Sequence, residues 1–349
     1  MISAAKPIIG EEEQEAVQRV LASGMISQGP EVEKFENEFS KIVENRRCIA
    51  VNSGTSALHL GLMAAGIGPG DEIIVPSFTF AATGNAVALT GAEPVFVDIE
   101  PNHFCINPEA VESAITSRTS GIMPVHLYGH PAPMIELQEI ADKYGLIIFE
   151  DAAQAHAASL RGKPVGTMGT VAAFSFYPTK NMTSGEGGMI VTSDPEIERK
   201  CRLLRNQGME QRYMNEIIGF NTRMTDIHAA IGRVQLKKLP DWTKTRQRNA
   251  QYFDSALSDV TTPKVADGAT HVYHQYTIRS ERRDQLAVQL SEKNIGSGVY
   301  YPTPVHRLPS FASDLELPET EAAAASVLSL PVHPSLSEED LETIVRACQ

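Results

Sequence analysis

Phe174-Ser-Phe-Tyr-Pro-Thr-Lys-Asn-Met-Thr-Ser-Gly-Glu-Gly-Gly188 decides how this chain is read. It places Lys180 in a tight turn followed by Gly185, Gly187 and Gly188. Upstream, the apolar run Leu146–Phe149 ends in Glu150-Asp-Ala-Ala-Gln154. That puts a carboxylate, Asp151, at the end of a strand predicted to be buried. Taken alone, Lys180 reads as a solvated turn residue and Asp151 as a helix N-cap. Taken together they point to pyridoxal 5'-phosphate (PLP). A lysine amine forms a Schiff base with that cofactor's aldehyde. A carboxylate keeps the pyridine nitrogen protonated, so the ring acts as an electron sink.

A second stretch supports this reading. Val51-Asn-Ser-Gly-Thr-Ser-Ala-Leu-His-Leu60 passes from a short strand, Cys48–Val51, through small residues into a helix predicted over Ala57–Ala65. Gly54, Thr55 and Ser56 let the backbone approach an anion, and first-turn N–H groups can hold it. No Gly-Lys-Thr/Ser follows, and no Gly-x-Gly-x-x-Gly is present, so this is neither a Walker loop nor a dinucleotide fingerprint.

Further out, apolar strands are predicted at Glu72–Val75, Pro94–Val97, Gly121–Val125 and Met189–Val191. Helices are predicted over 11–23, 31–43, 81–90 and 132–144. This alternation predicts an α/β fold with a mostly parallel sheet covered on both faces. A helix broken near Pro240 is expected to leave the larger lobe. Beyond it come a helix over 244–257, a strand at Tyr273–Ile278, a helix over 283–293, a strand at Ser297–Tyr301 and a last helix from about Ser337. The expected domains are therefore 1–240 and 241–349, the second a smaller α+β unit.

The 349 residues are 42% hydrophobic and 21% charged, a globular composition. No apolar run is long enough to span a membrane, and the N-terminus lacks the pattern of a secretory signal. Cys48, Cys105, Cys201 and Cys348 are scattered, without CxxC spacing. They are expected to be reduced thiols of a cytoplasmic protein, and no metal is expected. A net charge of −13 argues against a nucleic-acid partner.

Six segments then fall into a recognisable order: Gly54-Thr-Ser-Ala-Leu58, Pro76-Ser-Phe-Thr-Phe80, Glu150-Asp-Ala-Ala-Gln154, Ser175-Phe-Tyr-Pro-Thr-Lys180, Gly185-Glu-Gly-Gly188 and Gly219-Phe-Asn-Thr-Arg-Met-Thr225. From about Pro7 to the C-terminus the chain resembles the DegT/DnrJ/EryC1/StrS family of PLP-dependent nucleotide-sugar aminotransferases. The resemblance implies the fold type I, aspartate-aminotransferase-like architecture. It implies that Lys180 and Asp151 are catalytic and that Gly54, Thr55, Ser56 and Ser175 hold the cofactor phosphate. Phe80 is expected to stack on the pyridine ring, and Gln154 to meet the phenolic oxygen. Asn221 is implied to reach the cofactor phosphate of a partner subunit, which requires a homodimer with composite sites. Arg223, Tyr300, Tyr301 and His306 are expected near the sugar nucleotide. His126 is a further candidate for the site. The family often carries histidine where this chain has Gln207.

The expected activity is transfer of an amino group from glutamate or glutamine to a nucleotide-activated keto-sugar, with pyridoxamine 5'-phosphate (PMP) as the carrier form. A cyclitol aminotransferase and a non-catalytic regulatory protein are the alternatives. The family's dehydratase branch carries histidine at the lysine position, and Lys180 speaks against it.

Overall fold

The computed structural model describes residues Met1–Gln349. Its centre is a seven-stranded sheet: β1 (Arg47–Val51), β2 (Glu72–Pro76), β3 (Glu93–Val97), β4 (Thr119–Ile122), β5 (Ile147–Asp151), β6 (Val171–Ser175) and β7 (Gly188–Thr192). The strand order is β1-β7-β6-β5-β4-β2-β3. Pairing is parallel from β6 to β3, and β7 runs antiparallel to both of its neighbours. The cause is the link between β6 and β7. It runs through tight turns with no crossover helix, so the chain can only return antiparallel. Lys180 lies in that link.

Both faces of the sheet are buried, as near-continuous apolar strands require. In β6, Val171 and Ala173 enter one core and Ala172 and Phe174 another, following the two-residue period. Helices α1 (Glu11–Ser23) and α2 (Pro30–Ser40) precede the sheet. Helices α3 (Gly54–Ala64), α4 (Ala82–Leu89), α5 (Pro108–Ser113), α6 (Met134–Tyr144) and α7 (Pro195–Arg205) connect its strands or follow them. The sequence reading missed β6 and α7. The second had an available signal, since Asp194 caps it and Pro195 is its first residue, the preferred start for a helix.

Two expectations for the C-terminal part fail. Helix α8 (Asp226–Ala256) runs unbroken through Pro240. A proline removes only one N–H, and the flanking turns keep their bonds. Ser297–Tyr301 is irregular, with a single bridge from Gly298 to Ser329. The partner of β8 (Tyr276–Arg279) is instead β9 (Val327–Leu330). Pro302 and Pro304, just beyond the expected strand, lack the N–H groups that could extend any pairing. Helices α9 (Arg283–Glu292), α10 (Pro318–Ser326) and α11 (Glu338–Cys348) complete the chain. Ile2 bridges Ile295 and packs in the C-terminal core. Residue 240 lies inside α8, so a division at that point remains a proposal.

Candidate active site

Strands β5 and β6 end side by side, Asp151 opposite Ala173. Their carboxyl ends open on a cavity of about 550 Å³, where ligands of open α/β sheets bind. Nine of the predicted residues line it: Gly54, Thr55, Phe80, Asp151, Gln154, Ser175, Lys180, Tyr300 and Tyr301.

The turn carrying Lys180 is held from several sides. The Lys180 N–H donates to the Tyr177 carbonyl at 2.9 Å, and the Ser184 N–H to that of Phe176 at 3.0 Å. Thr183 donates its hydroxyl to the Phe176 carbonyl at 2.8 Å, and Asn181 its amide to Val272 at 3.0 Å. The lysine side chain thus leaves a fixed base and reaches the cavity wall. Burial lowers its amine pKa to about 8, opposed by the Asp151 carboxylate. Lys180 is the only lysine or arginine lining the cavity.

Asp151 accepts from the Thr83 hydroxyl at 2.8 Å and from the Ala153 N–H at 3.1 Å. Burial raises its pKa above the usual carboxylate value, while Thr83, Ala153 and the Lys180 charge pull the other way. Thr79 bonds Thr83 at 3.0 Å. Because the Thr83 proton points to Asp151, Thr79 is the donor in that pair. Glu150, one residue earlier, faces the opposite side of the strand. It accepts from the N–H groups of Gly166 at 2.7 Å and Met168 at 2.8 Å, and lies 3.1 Å from His126 Nε2. Burial would raise the Glu150 pKa, but His126 and the backbone donors hold it low. His126 therefore braces Glu150 and does not line the cavity.

At the start of α3, Gly54 and Thr55 present their backbone to the cavity beside Ser175. A Cβ on Gly54 would stand 2.7 Å from Ser175 Cβ, so only glycine permits this approach. The helix begins at Gly54 and not at Ala57, with Ser53 as its cap. Ser56 is drawn into that cap. Its N–H donates to Ser53 Oγ at 3.1 Å and its hydroxyl to Asn52 at 2.7 Å. It is not among the residues that line the cavity of its own chain.

Gln154 is oriented by its neighbours. Its carbonyl oxygen accepts from the Tyr128 N–H at 2.8 Å, and its NH₂ donates to the Tyr301 hydroxyl at 3.1 Å. The donor end therefore meets the cavity. Phe80 is 58% exposed, whereas Phe78 is fully buried. The Phe80 ring lies at the cavity mouth, 5.9 Å from that of Tyr301.

Besides Ser56, three predicted residues lie outside the cavity of their own chain. Asn221 is exposed, with its backbone bridged to Asn206. Arg223 donates to the Asn206 side chain at 2.8 Å. His306 is fully buried, 2.6 Å from the Ser77 hydroxyl. It pins the 301–306 turn beneath the end of β2 and faces no substrate space, so its substrate role is corrected. Residues that sequence reasoning missed include Thr83, Tyr128, Tyr177 and His274. Thr83 had a signal, since it stands three residues after Phe80 at the start of a helix. Tyr177 stands three residues before Lys180 in the same turn; Tyr128 and His274 come from remote segments and had no signal.

These groups fit a phosphorylated pyridine aldehyde: an amine at the wall, a buried carboxylate with room for a cationic ring nitrogen, a backbone cradle and an uncovered ring. Comparison with known proteins agrees. The model of the DegT/DnrJ/EryC1/StrS aminotransferase family matches residues 7–349. The chain is 44% identical to a pleiotropic regulatory protein of Geobacillus stearothermophilus, over 93% of this chain and 90% of that one. It is 45% identical to the dTDP-3-amino-3,4,6-trideoxy-alpha-D-glucose transaminase of Streptomyces venezuelae, over 95% and 90%. The crystal structure of NtdA from Bacillus subtilis with bound cofactor PMP superposes with a TM-score of 0.91 at 33% identity, covering 97% and 82%.

Proposed function

The chain belongs to the DegT/DnrJ/EryC1/StrS aminotransferase family, and from that premise we propose that it transfers an amino group from L-glutamate or glutamine to a nucleotide-activated keto-sugar in amino-sugar biosynthesis. The observation that carries the reading is Lys180 and Asp151 converging on one cavity. PLP, when bound, supplies an aldehyde that takes up an amine and a ring that withdraws electrons. The Lys180 amine, neutral in part near pH 8, takes and returns the proton at the substrate carbon. The Asp151 carboxylate holds a proton on the ring nitrogen. Gly54, Thr55 and Ser175 would hold the phosphate, Gln154 would donate to the ring hydroxyl, and Phe80 would cover the ring, all five lining the one cavity.

A dicarboxylate donor and a sugar diphosphate need cations, and the cavity has only Lys180. We place the missing cation, Arg223, and the donor Asn221 across a homodimer interface. The exposed apolar side chains on the same arm, Tyr213 at 78% and Ile218 at 94%, support burial there. No helix is long and apolar enough to cross a membrane, and a cytoplasmic location is proposed.

The test has two steps. Borohydride reduction of the holoenzyme and peptide mapping should find the cofactor on Lys180; modification of another lysine would overturn the assignment. The enzyme is then given glutamate with a panel of dTDP-, UDP- and GDP-keto-sugars and a keto-cyclitol. Mass spectrometry should find an amino-sugar nucleotide. Amination of the cyclitol alone would replace the substrate class, and no amine product from any ketone would support a regulatory role.

A further inference from the structure

A second cleft, of about 280 Å³, lies at the junction of the two parts of the chain. One wall is the loop Pro101–Phe104 after β3. The other is formed by Thr261–Lys264 and by Arg279, the last residue of β8. Arg279 spans the gap. Its Nη2 donates to the Pro101 carbonyl at 2.8 Å, and its guanidinium lies 4.7 Å from the centre of the Phe104 ring.

Arg279 has no carboxylate within ion-pair distance, and its Nε is buried with no hydrogen-bond partner. The carboxylates that act on it electrostatically are Glu319 and, less strongly, Glu100. Glu100 is engaged by His103 at 2.9 Å and by the Asn102 amide at 2.7 Å. Lys264 also lacks a carboxylate; its amine donates to the Asn102 side-chain carbonyl at 3.1 Å. The Thr261 and Thr262 side chains line the same space. Two cations without an ion-pair contact and with hydroxyls at hand, in a chain of net charge −13, form the chemistry of an oxyanion receptor. A guanidinium fork suits a phosphoryl group better than a monovalent ion. Burial lowers the Arg279 pKa, and the Glu319 and Glu100 carboxylates offset this only in part, consistent with a cation short of a direct counter-charge.

We propose that this cleft binds a phosphoryl anion between Arg279, Lys264 and the hydroxyls of Thr261 and Thr262. The site is separate from the cofactor cradle, which lies at the start of α3. It is nevertheless connected to the catalytic cavity. The Phe104 ring packs 5.7 Å from that of Tyr128, and the Tyr128 N–H orients Gln154. Its hydroxyl donates to the Tyr300 carbonyl. Lys264 bonds Asn102 and Arg279 bonds Pro101, so an anion held by both cations bears on the 101–104 loop that packs against Tyr128.

The test uses the holoenzyme, in which the cofactor phosphate fills the α3 cradle. Binding of inorganic phosphate is measured by calorimetry at low ionic strength, with UDP and dTDP in parallel. Saturable binding of inorganic phosphate to wild type is expected, weakened about tenfold or more by Lys264→Ala and by Arg279→Gln, since each removes a charge-assisted bond. Lys264 is exposed, so its variant should fold even if Arg279→Gln does not. If UDP or dTDP shows the same dependence on Lys264, the source of the phosphoryl group is a nucleotide; if only inorganic phosphate does, it is the free ion. No saturable binding of phosphate, or binding indifferent to Lys264→Ala, would overturn the proposal.

Discussion

Burial moves Lys180 and Asp151 in opposite directions, each toward its neutral form: the lysine to about 8, the aspartate above its usual value. The two charges support each other, so removing one shifts its partner. In Asp151→Asn, Lys180 loses an attraction that favours its ammonium, and its pKa falls below that of wild type. Capture of PLP by apoprotein needs the free amine. Its rate should rise with pH to a plateau above about 8 in wild type, and reach that plateau at lower pH in the variant. A plateau at the same pH would show that the two groups are uncoupled. The same variant should keep the cofactor but lose turnover by about 10²–10³-fold, the usual cost of removing one preorganised electrostatic partner. Thr83→Val removes a hydroxyl donor from Asp151. Turnover should drop about tenfold, with Thr83→Ser restoring it. At this scale the sequence displayed Lys180 and Asp151 because each sits in an ordered local pattern. Thr83 was harder to see, because its purpose is visible only from the carboxylate it touches.

Among the elements, the start of α3 and the start of α8 each carry a contact that one substitution would break. Gly54→Ala would drive a Cβ into Ser175 and push α3 away from β6 at the phosphate cradle. PLP affinity should fall about tenfold or more with the protein still folded, as checked by spectroscopic titration alongside circular dichroism. Asp226 is the first residue of α8, yet it caps a different helix. Its carboxylate accepts from the N–H groups of Gly29 at 2.8 Å, Glu31 at 3.2 Å and Val32 at 3.0 Å. Asp226→Ala leaves these buried or half-buried donors without a partner. It should destabilise the protein by about 2–4 kcal/mol in urea unfolding; a loss under about 0.5 kcal/mol would mean that water replaces the carboxylate. Most elements were legible, because apolar runs and caps are local. Ser297–Tyr301 was misread, since its apolar residues pack without pairing, and Val327–Leu330 was lost behind an alanine-rich helix.

For the whole molecule the open question is the second subunit. Asn221 and Arg223 lie outside the cavity of their own chain, and the arm that carries them exposes apolar side chains. Mixing Lys180→Ala and Asn221→Asp subunits should create one hybrid site with both residues intact and one with neither. Activity should return after exchange of two weakly active homodimers, up to about half of wild type in the mixed dimer on this site count. Exchange confirmed by tagged subunits without recovery would place Asn221 within its own site or outside catalysis. The aspartate variant is chosen because its charge repels a phosphate as well as removing the amide donor.

The sequence by itself determined all strands of the central sheet but β6, together with the lysine turn and the cofactor class, since each is signalled by short local patterns. Through the family resemblance it also singled out Phe80 and Gln154, and both line the cavity. Tertiary structure alone decided which face of each strand became functional. Asp151 turned into the cavity and Glu150 into a buried brace with His126, although the two are adjacent in the chain. It also decided that Ser56 serves a helix cap and His306 a buried anchor. The physical reason is that a side chain's use depends on which partner satisfies its polar atoms, and those partners arrive from segments remote in sequence.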